Sequence, residues 1–411
     1  MNSPYALRIS RSIQDLPRAA WNALLIEETV PFLDWDWLAA LESSGSASAE
    51  AGWFPQHLTL WAGERLAAAA PLYLRTNSWG DYVYDHFWAE AAAALKRPWY
   101  PKLVGTVPAT PAGGYRFLCA PDLDGGALNR ILLDAAEDLC RKYRVGGLHL
   151  LFADPDWAAA LPGLGYSAWE HTGYLWENPG CRDFEDYLAG FSKNQRKNIR
   201  REYRCPGEAG VGIRVIPGEA AEAGQFERMF ELFTLTNDKF YPWDARFVNE
   251  AFFQYLERHF RRAVVFVEAR RRDGAGEPLA MAFFIRKGGR LWGRYWGAYE
   301  EVRDLHFAVC YYAPLDWAIR EGIRRFDPGP GSPHKIRRGF RGVSLWSYHK
   351  FFDPLLERLF QDNIGRVNQY EADALVSLNE RLPLKREPGL RGDGGALGPP
   401  AGVLGGGAPY C

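Results

Sequence analysis

The 411 residues are 47% apolar and 15% aromatic, enough for two or three domains with true hydrophobic cores. A net charge of −1 argues against a protein whose main business is coating nucleic acid. The start, Met1 to Arg11, lacks an apolar signal core, and no apolar run approaches the ~18 residues of a membrane helix.

In chain order, the first half reads as a strand (Tyr5–Ile9), helices (Gln14–Leu25, Asp34–Leu41) and a hairpin (Pro55–Trp61 with Leu66–Leu74). An aromatic connection, Tyr82 to Trp88, precedes a helix near Glu90–Leu95. A long helix (Gly126–Tyr143) and strands at Leu148–Phe152 and Tyr174–Glu177 follow. The second half repeats the scheme. Strand Gly212–Ile216 leads into helices Ala220–Asn237 and Phe247–His259, then strands Ala263–Glu268, Pro278–Ile285 and Arg290–Trp296. Helix Leu305–Glu321, strand Arg324–Pro328, strand Leu345–Phe351 and helix Pro354–Leu382 close it. This order predicts an α/β (α+β) protein of two domains, 1–178 and 179–386, each a mixed sheet flanked by helices. Residues 387–411, Gly- and Pro-rich with few large apolar residues, are expected to be a disordered tail.

Phe184 to Arg204 reads as one amphipathic helix linking the halves. Lys193, Arg196, Lys197, Arg200, Arg201 and Arg204 recur at spacings of three and four and form a basic face, with Leu188, Phe191 and Ile199 on the other side. Glu202 is the one acid within the stripe. A second basic tract, His334-Lys335-Ile-Arg337-Arg338-Gly-Phe-Arg341, lies behind the Gly/Pro turn that starts at Asp327. No carboxylate occurs between Asp327 and Asp353, so the tract suggests an anion site. Both features also fit a solvated charged surface.

Strand Arg290-Leu-Trp-Gly293-Arg294-Tyr295-Trp296-Gly297 contains two glycines, which fit either close approach of a ligand or backbone, or space for the tryptophans. The helix after it offers its amino end to a diphosphate, yet Glu300, Glu301 and Asp304 oppose one. Six cysteines without C-x-x-C spacing and eight scattered histidines point to reduced thiols, a cytoplasmic location and no metal site. Cys310 is expected to be packing. Phosphate-loop, dinucleotide, serine-hydrolase and zinc-protease motifs are absent from the sequence.

The tract Phe191 to Glu202 resembles the basic helix of Fem-type peptidoglycan aminoacyltransferases, and Phe326 to Phe340 is similar to their strand and following turn. A closer resemblance is to the predicted N-acyltransferase family of peptidoglycan biosynthesis or recognition, a tandem-GNAT relative. It is carried by Ser78-Trp-Gly-Asp81-Tyr82-Val-Tyr-Asp85, Trp88-Ala-Glu-Ala, Tyr100-Pro-Lys-Leu103 and Thr110-Pro-Ala-Gly-Gly. It continues through Gly293–Gly297, Leu305-His306-Phe307, Cys310-Tyr311-Tyr312 and His334-Lys335…Arg338-Gly-Phe340. The chain departs from the family pattern at Ala308, Ala313 and Pro333, which puts activity or substrate in question.

The resemblance implies two GNAT-like domains and transfer of an acyl group from an acyl-CoA co-substrate to an amine or a cell-wall precursor, without metal. It makes His306 the candidate base and Tyr311 or Tyr312 the candidate acid. Gly293, Arg294, Tyr295, Gly297, His334, Lys335, Arg337, Arg338, Lys193, Arg196 and Arg200 become candidate donor- or substrate-binding residues. Asp81, Tyr82, Asp85 and Trp88 are candidates for a second cleft. Two alternatives stand beside it: an aminoacyl-tRNA donor as in the Fem enzymes, and a non-catalytic peptidoglycan-recognition protein.

Overall fold

The computed structural model describes residues 4–239, 246–272 and 276–385. The expected tail 387–411 lies outside them. The chain divides into two compact units. The first holds residues 4–171, 246–260 and 345–364; the second holds 172–239, 261–272, 276–344 and 365–385. This differs from two consecutive halves. Helix Glu250–His259 belongs to the first unit because Phe252 sits edge-on against Trp37, at 5.3 Å between rings, within a buried aromatic group.

In the first unit, strands Ala6–Ser10, His57–Ala62, Arg65–Ala70 and Leu118–Cys119 form an antiparallel sheet. A second run orders Trp53–Pro55, Leu72–Arg75, Lys102–Gly105 and Gly147–Leu150, with Tyr348–Phe351 beside the last. Lys102–Gly105 and Gly147–Leu150 are parallel, so a crossover must join them; helix Gly125–Tyr143 supplies it. Its apolar residues Leu128, Leu132, Ala136 and Leu139 repeat at helical spacing and are buried, and Asp124 caps the amides of Gly126 and Ala127. The expected helix 14–25 is instead a 3-10 turn, Ile13–Asp15, and a short helix, Arg18–Asn22. Pro17 separates them by removing an amide donor.

In the second unit, Val211–Pro217, Val264–Arg271, Ala280–Lys287 and Arg290–Ala298 form an antiparallel meander. Arg325–Asp327 then pairs parallel to the last strand and antiparallel to Trp176–Glu177. Register alternation sorts the two faces. Phe266, Phe283 and Tyr295 stand in line and meet Phe226 and Phe233 of helix Gln225–Asp238. Val265, Val267, Ala282 and Phe284 share the other core with Val309, Tyr312 and Leu315. A side chain at Gly297 would fall 1.9 Å from the Leu232 carbonyl oxygen, so this glycine lets helix and strand touch. The expected helix 305–321 carries a π turn, Ala308–Tyr312, ahead of Ala313–Arg320. Pro314 offers no amide to the preceding turn, which leaves room for the irregular stretch.

The single helix expected over 184–204 is two, Phe184–Ala189 and Lys193–Glu208. Ser192 explains the break: its hydroxyl accepts from the Gln195 amide as an N-cap. Leu188, Phe191 and Ile199 are fully buried, as the apolar side requires. Among the described residues, no helix is long and apolar enough to cross a membrane.

Candidate functional site

The basic helix Lys193–Glu208 has two unlike sides. Around the helical wheel the six cations cluster, while Glu202 points the opposite way. Its carboxylate accepts from Arg338 Nη2 at 2.7 Å and from the Tyr312 hydroxyl at 2.5 Å. The acid that seemed to temper the stripe is therefore turned inward. Arg200 pairs with Glu185, whereas Lys193, Arg196, Lys197, Arg201 and Arg204 have no carboxylate partner among the described residues.

The second tract differs from its expectation as an uncompensated basic loop. Pro333–Arg338 forms a 3-10 helix ended by Gly339, whose φ of 76° and whose closeness to the Phe191 ring both favour glycine. Arg338 is only 3% exposed: it lies 3.4 Å over the Phe307 ring, donates to the His334 carbonyl and pairs with Glu202. Lys335, 2% exposed, donates to the carbonyls of Gly329 and Pro330 at 3.0 and 2.5 Å. Arg337 stays exposed, and its carbonyl accepts from Gln195 on the basic helix at 2.6 Å.

Four aromatic groups converge beside this turn. The His306 ring lies 4.7 Å from Trp296, 5.5 Å from Tyr311 and 5.7 Å from His334. The Tyr311 hydroxyl and His334 Nε2 are 3.0 Å apart. Burial and the neighbouring cations push His306 down to about 3 and His334 down to about 4, so both rings are neutral near pH 7. Burial raises the phenols of Tyr311 and Tyr312 far above their ordinary value. The Tyr312 hydroxyl donates its hydrogen bond to Glu202, so of the two tyrosines it is Tyr311 that meets a histidine.

Asp327, at the end of strand Arg325–Asp327, was not among the expected site residues. Burial pushes its carboxyl up to about 6, against the Gly329 amide at 2.8 Å and the charges of Arg294 and Lys335. Burial likewise pulls Lys335 down to about 8. The parallel ladder between Arg290–Trp292 and Arg325–Asp327 stops at Asp327, and on the opposite edge the register shifts between Phe283 and Phe284. That shift leaves Arg294 as the extra residue of a β-bulge between Gly293 and Tyr295, a device that re-aims side chains. Gly293 itself packs against the Pro328 backbone.

The second-cleft candidates form a closed network within the first unit. Lys102 touches Asp81 at 2.9 Å and Asp85 at 2.7 Å, and Arg75 reaches Asp81 at 3.0 Å and the carbonyls of Gly52 and Trp79, both at 2.5 Å. Ser78, Trp99 and Tyr100 donate to Asp85. Trp88 is buried 4.6 Å from Phe360, and Tyr82 packs on Phe247. These contacts hold the loop 76–85 and the start of the helix after it in place; no open face is left on Asp81 or Asp85 for a ligand.

A family model described as FemAB-like, peptidoglycan biosynthesis/recognition, matches residues 12–386. In fold the chain is similar to FemX, with a TM-score of 0.51 at 11% identity over 85% of this chain and 98% of that one. A tandem GNAT protein from the clavulanic acid biosynthesis pathway gives 0.44 at 15% identity, covering 85% and 99%. L-PGS from Bacillus licheniformis gives 0.44 at 11%, covering 85% and 96%. At such identities the FemX likeness speaks to fold alone, and the two lower scores carry no weight. No match is found among the curated proteins.

Proposed function

Because the chain belongs to the FemAB-like family of peptidoglycan biosynthesis/recognition, we propose that it transfers an acyl group to an amine of a peptidoglycan precursor, from a donor carried on an RNA. The observation that carries this reading is the outward stripe on Lys193–Glu208 of five cations that have no carboxylate partner among the described residues, while the helix's inner side holds the site through Glu202 and Gln195. Fem-type enzymes, which the tract resembles, use an aminoacyl-tRNA donor. A stripe of this kind attracts a phosphate backbone with an affinity that falls steeply as salt rises.

The chemistry needs a neutral amine, a stabilised oxyanion and a proton for the leaving oxygen. Asp327, titrating near 6, is matched to accept the proton of an attacking ammonium; His306, near 3, is too weak a base at neutral pH. The amine nitrogen bonds to the ester carbonyl carbon, and collapse of the tetrahedral adduct breaks the bond to the leaving oxygen. The Tyr311–His334 pair is arranged to return a proton to that oxygen, and Lys335 and Arg338 supply positive charge nearby.

An acyl-CoA donor is the second reading, favoured by the bulge at Arg294 beside the end of the parallel ladder, an irregularity of the kind that accompanies an extended arm laid along a strand. One experiment separates them. The protein is incubated with a peptidoglycan-precursor peptide and either charged tRNA or a series of acyl-CoAs, and products are read by mass spectrometry. Acylated peptide from charged tRNA alone supports the first reading; product from acyl-CoA alone supports the second. No product from either, with the peptide nonetheless bound, leaves the recognition role.

A further inference from the structure

Three turns of the first unit, 95–98, 143–146 and 352–355, meet at one end of its second strand run. Strands Lys102–Gly105 and Gly147–Leu150 are parallel and both start there, and Tyr348–Phe351, antiparallel to the second of them, finishes there. The turns are in contact. A side chain at Gly146 would fall 3.4 Å from the Pro98 carbonyl oxygen and 3.2 Å from Leu356, and the Gly146 carbonyl accepts from the Phe352 amide at 3.0 Å. Arg97 pairs with Asp353 at 3.1 Å, and Arg141 lies 5.1 Å over the Phe352 ring.

Each turn holds a large apolar side chain in the open: Leu95 and Leu355 are 42% exposed and Tyr143 is 55% exposed. Leu355 sits at the start of the helix that opens at Pro354, where Asp353 accepts from the amides of Leu355 and Leu356, and of these two leucines only Leu356 is buried. One exposed leucine is ordinary on a protein surface; three large apolar groups gathered at one end mark a contact face. Cations stand among them. Lys96 follows Leu95, and Lys142 and Arg144 flank Tyr143, with Lys142 5.4 Å over its ring. Arg97 is engaged by Asp353 and Arg141 by Glu137 and Asp138, whereas Lys96, Lys142 and Arg144 have no carboxylate partner among the described residues. Asp353 is the one carboxylate in the three turns, and Glu357, one helical turn on, bonds Gln361. Lys96 and Arg144 hold φ of 56° and 54°, left-handed geometry that glycine would adopt with less strain, so the long cations are kept at these helix ends against backbone preference.

Charges of one sign interleaved with large apolar groups complement hydrocarbon that lies beneath a layer of anionic headgroups. A nucleic acid would match the cations and leave both leucines uncovered. A second copy of this chain, packed face to face, would set the same cations against each other. We infer that this end of the first unit docks on an anionic lipid bilayer, with Leu95, Tyr143 and Leu355 at headgroup depth and Lys96, Lys142 and Arg144 on lipid phosphates. The contact is peripheral, since among the described residues no helix is long and apolar enough to span. It stands apart from the transfer reading, because it needs neither donor nor acceptor.

The test is co-sedimentation of the full chain with vesicles of phosphatidylcholine alone and of phosphatidylcholine mixed equally with phosphatidylglycerol. Binding to the mixed vesicles is expected, falling as salt rises, with little on phosphatidylcholine alone. Lys96→Gln, Lys142→Gln and Arg144→Gln should each weaken it about fivefold, and the three together about 100-fold. Leu95→Ser combined with Leu355→Ser removes no charge and should weaken it about 10-fold or more. Lys197→Ala combined with Arg201→Ala, on the basic helix of the second unit, should leave vesicle binding nearly unchanged. No binding to mixed vesicles, equal binding to both kinds, or binding indifferent to the leucine pair would overturn the assignment. So would loss of binding through Lys197→Ala and Arg201→Ala in place of the turn variants. A dimer in sedimentation velocity that the leucine pair splits would give the face to a second copy instead. The charge and leucine variants decide independently should one of them fail to fold, which thermal unfolding beside the parent reads.

Discussion

Two groups of buried charges, one in each unit and each built around a lysine and an aspartate, behave in opposite ways. In the first unit Lys102 touches both Asp81 and Asp85. Burial works against these charges, but their mutual attraction outweighs it: Lys102 is raised and Asp85 lowered, each toward its charged form. In the second unit Lys335 spends its ammonium on two carbonyls, and among the described residues no carboxylate lies within ion-pair distance of it. Here burial wins, and Asp327 rises to about 6 while Lys335 falls to about 8. Direct pairing freezes charge and serves structure. Burial without direct pairing brings groups to the edge of titration, which is where proton transfer needs them.

The contrast can be broken first at the lysines. Lys102→Met should cost the protein about 3–5 kcal/mol, because it strands buried carboxylates, whereas Lys335→Met should lower activity with little loss of stability. Denaturant unfolding of both variants measures this; equal stability losses would erase the distinction. Next comes Asp327→Asn, expected to lower the transfer rate about 10²- to 10⁴-fold and to remove an acid limb near pH 6 from the pH–rate profile. The same variant should be more thermostable than the parent above pH 6, where the buried carboxylate is charged. That gain should vanish below pH 4, where the carboxyl is protonated both folded and unfolded.

A third measurement concerns histidines outside the site. His149 and His349 share a hydrogen bond of 2.7 Å between their Nδ1 atoms, and His171 lies 3.0 Å from the Ser347 hydroxyl. Burial holds all three well below their ordinary value, so they gain protons only on unfolding. Their share of the stability is intact above pH 6.5 and falls by about 4 kcal/mol per pH unit well below it. Apolar replacement of the His149–His349 pair should flatten that slope by about two thirds in acid unfolding curves. The smallest effect belongs to the stripe. Single changes such as Lys197→Ala or Arg201→Ala should weaken tRNA binding by about 1 kcal/mol each and reduce the salt slope by about 1. Changing Arg200, already paired with Glu185, should do less.

Periodicity made much of this legible. The burial of Leu188, Phe191 and Ile199 opposite a basic face follows from helical spacing, and the strands expected at Ala263–Glu268 and Pro278–Ile285 form as Val264–Arg271 and Ala280–Lys287. The split at Gly190–Ser192 was also available, since Ser192 followed by Gln195 is a capping signature that six cations in helical register concealed. Counter-ions were out of reach. Nothing local tells that Glu202 serves Arg338, 136 residues onward, or that Arg75 and Lys102 neutralise Asp81 and Asp85. Asp327 was overlooked for a related reason: sequence shows a carboxylate beside a basic tract, but only packing shows that Lys335 turns elsewhere.

The π turn at Ala308–Tyr312 amounts to one surplus residue stored inside a rod rather than in a loop. Everything ahead of it, His306 and Phe307 included, is thereby rotated out of phase with Leu315, Ala318 and Ile319, which seal the core behind it. Excising a single alanine there would let the rod relax to regular α geometry, turning His306 by about 100° away from Trp296 and His334 while leaving the buried face intact. The ring cluster is thus set by a count of residues as much as by their identity.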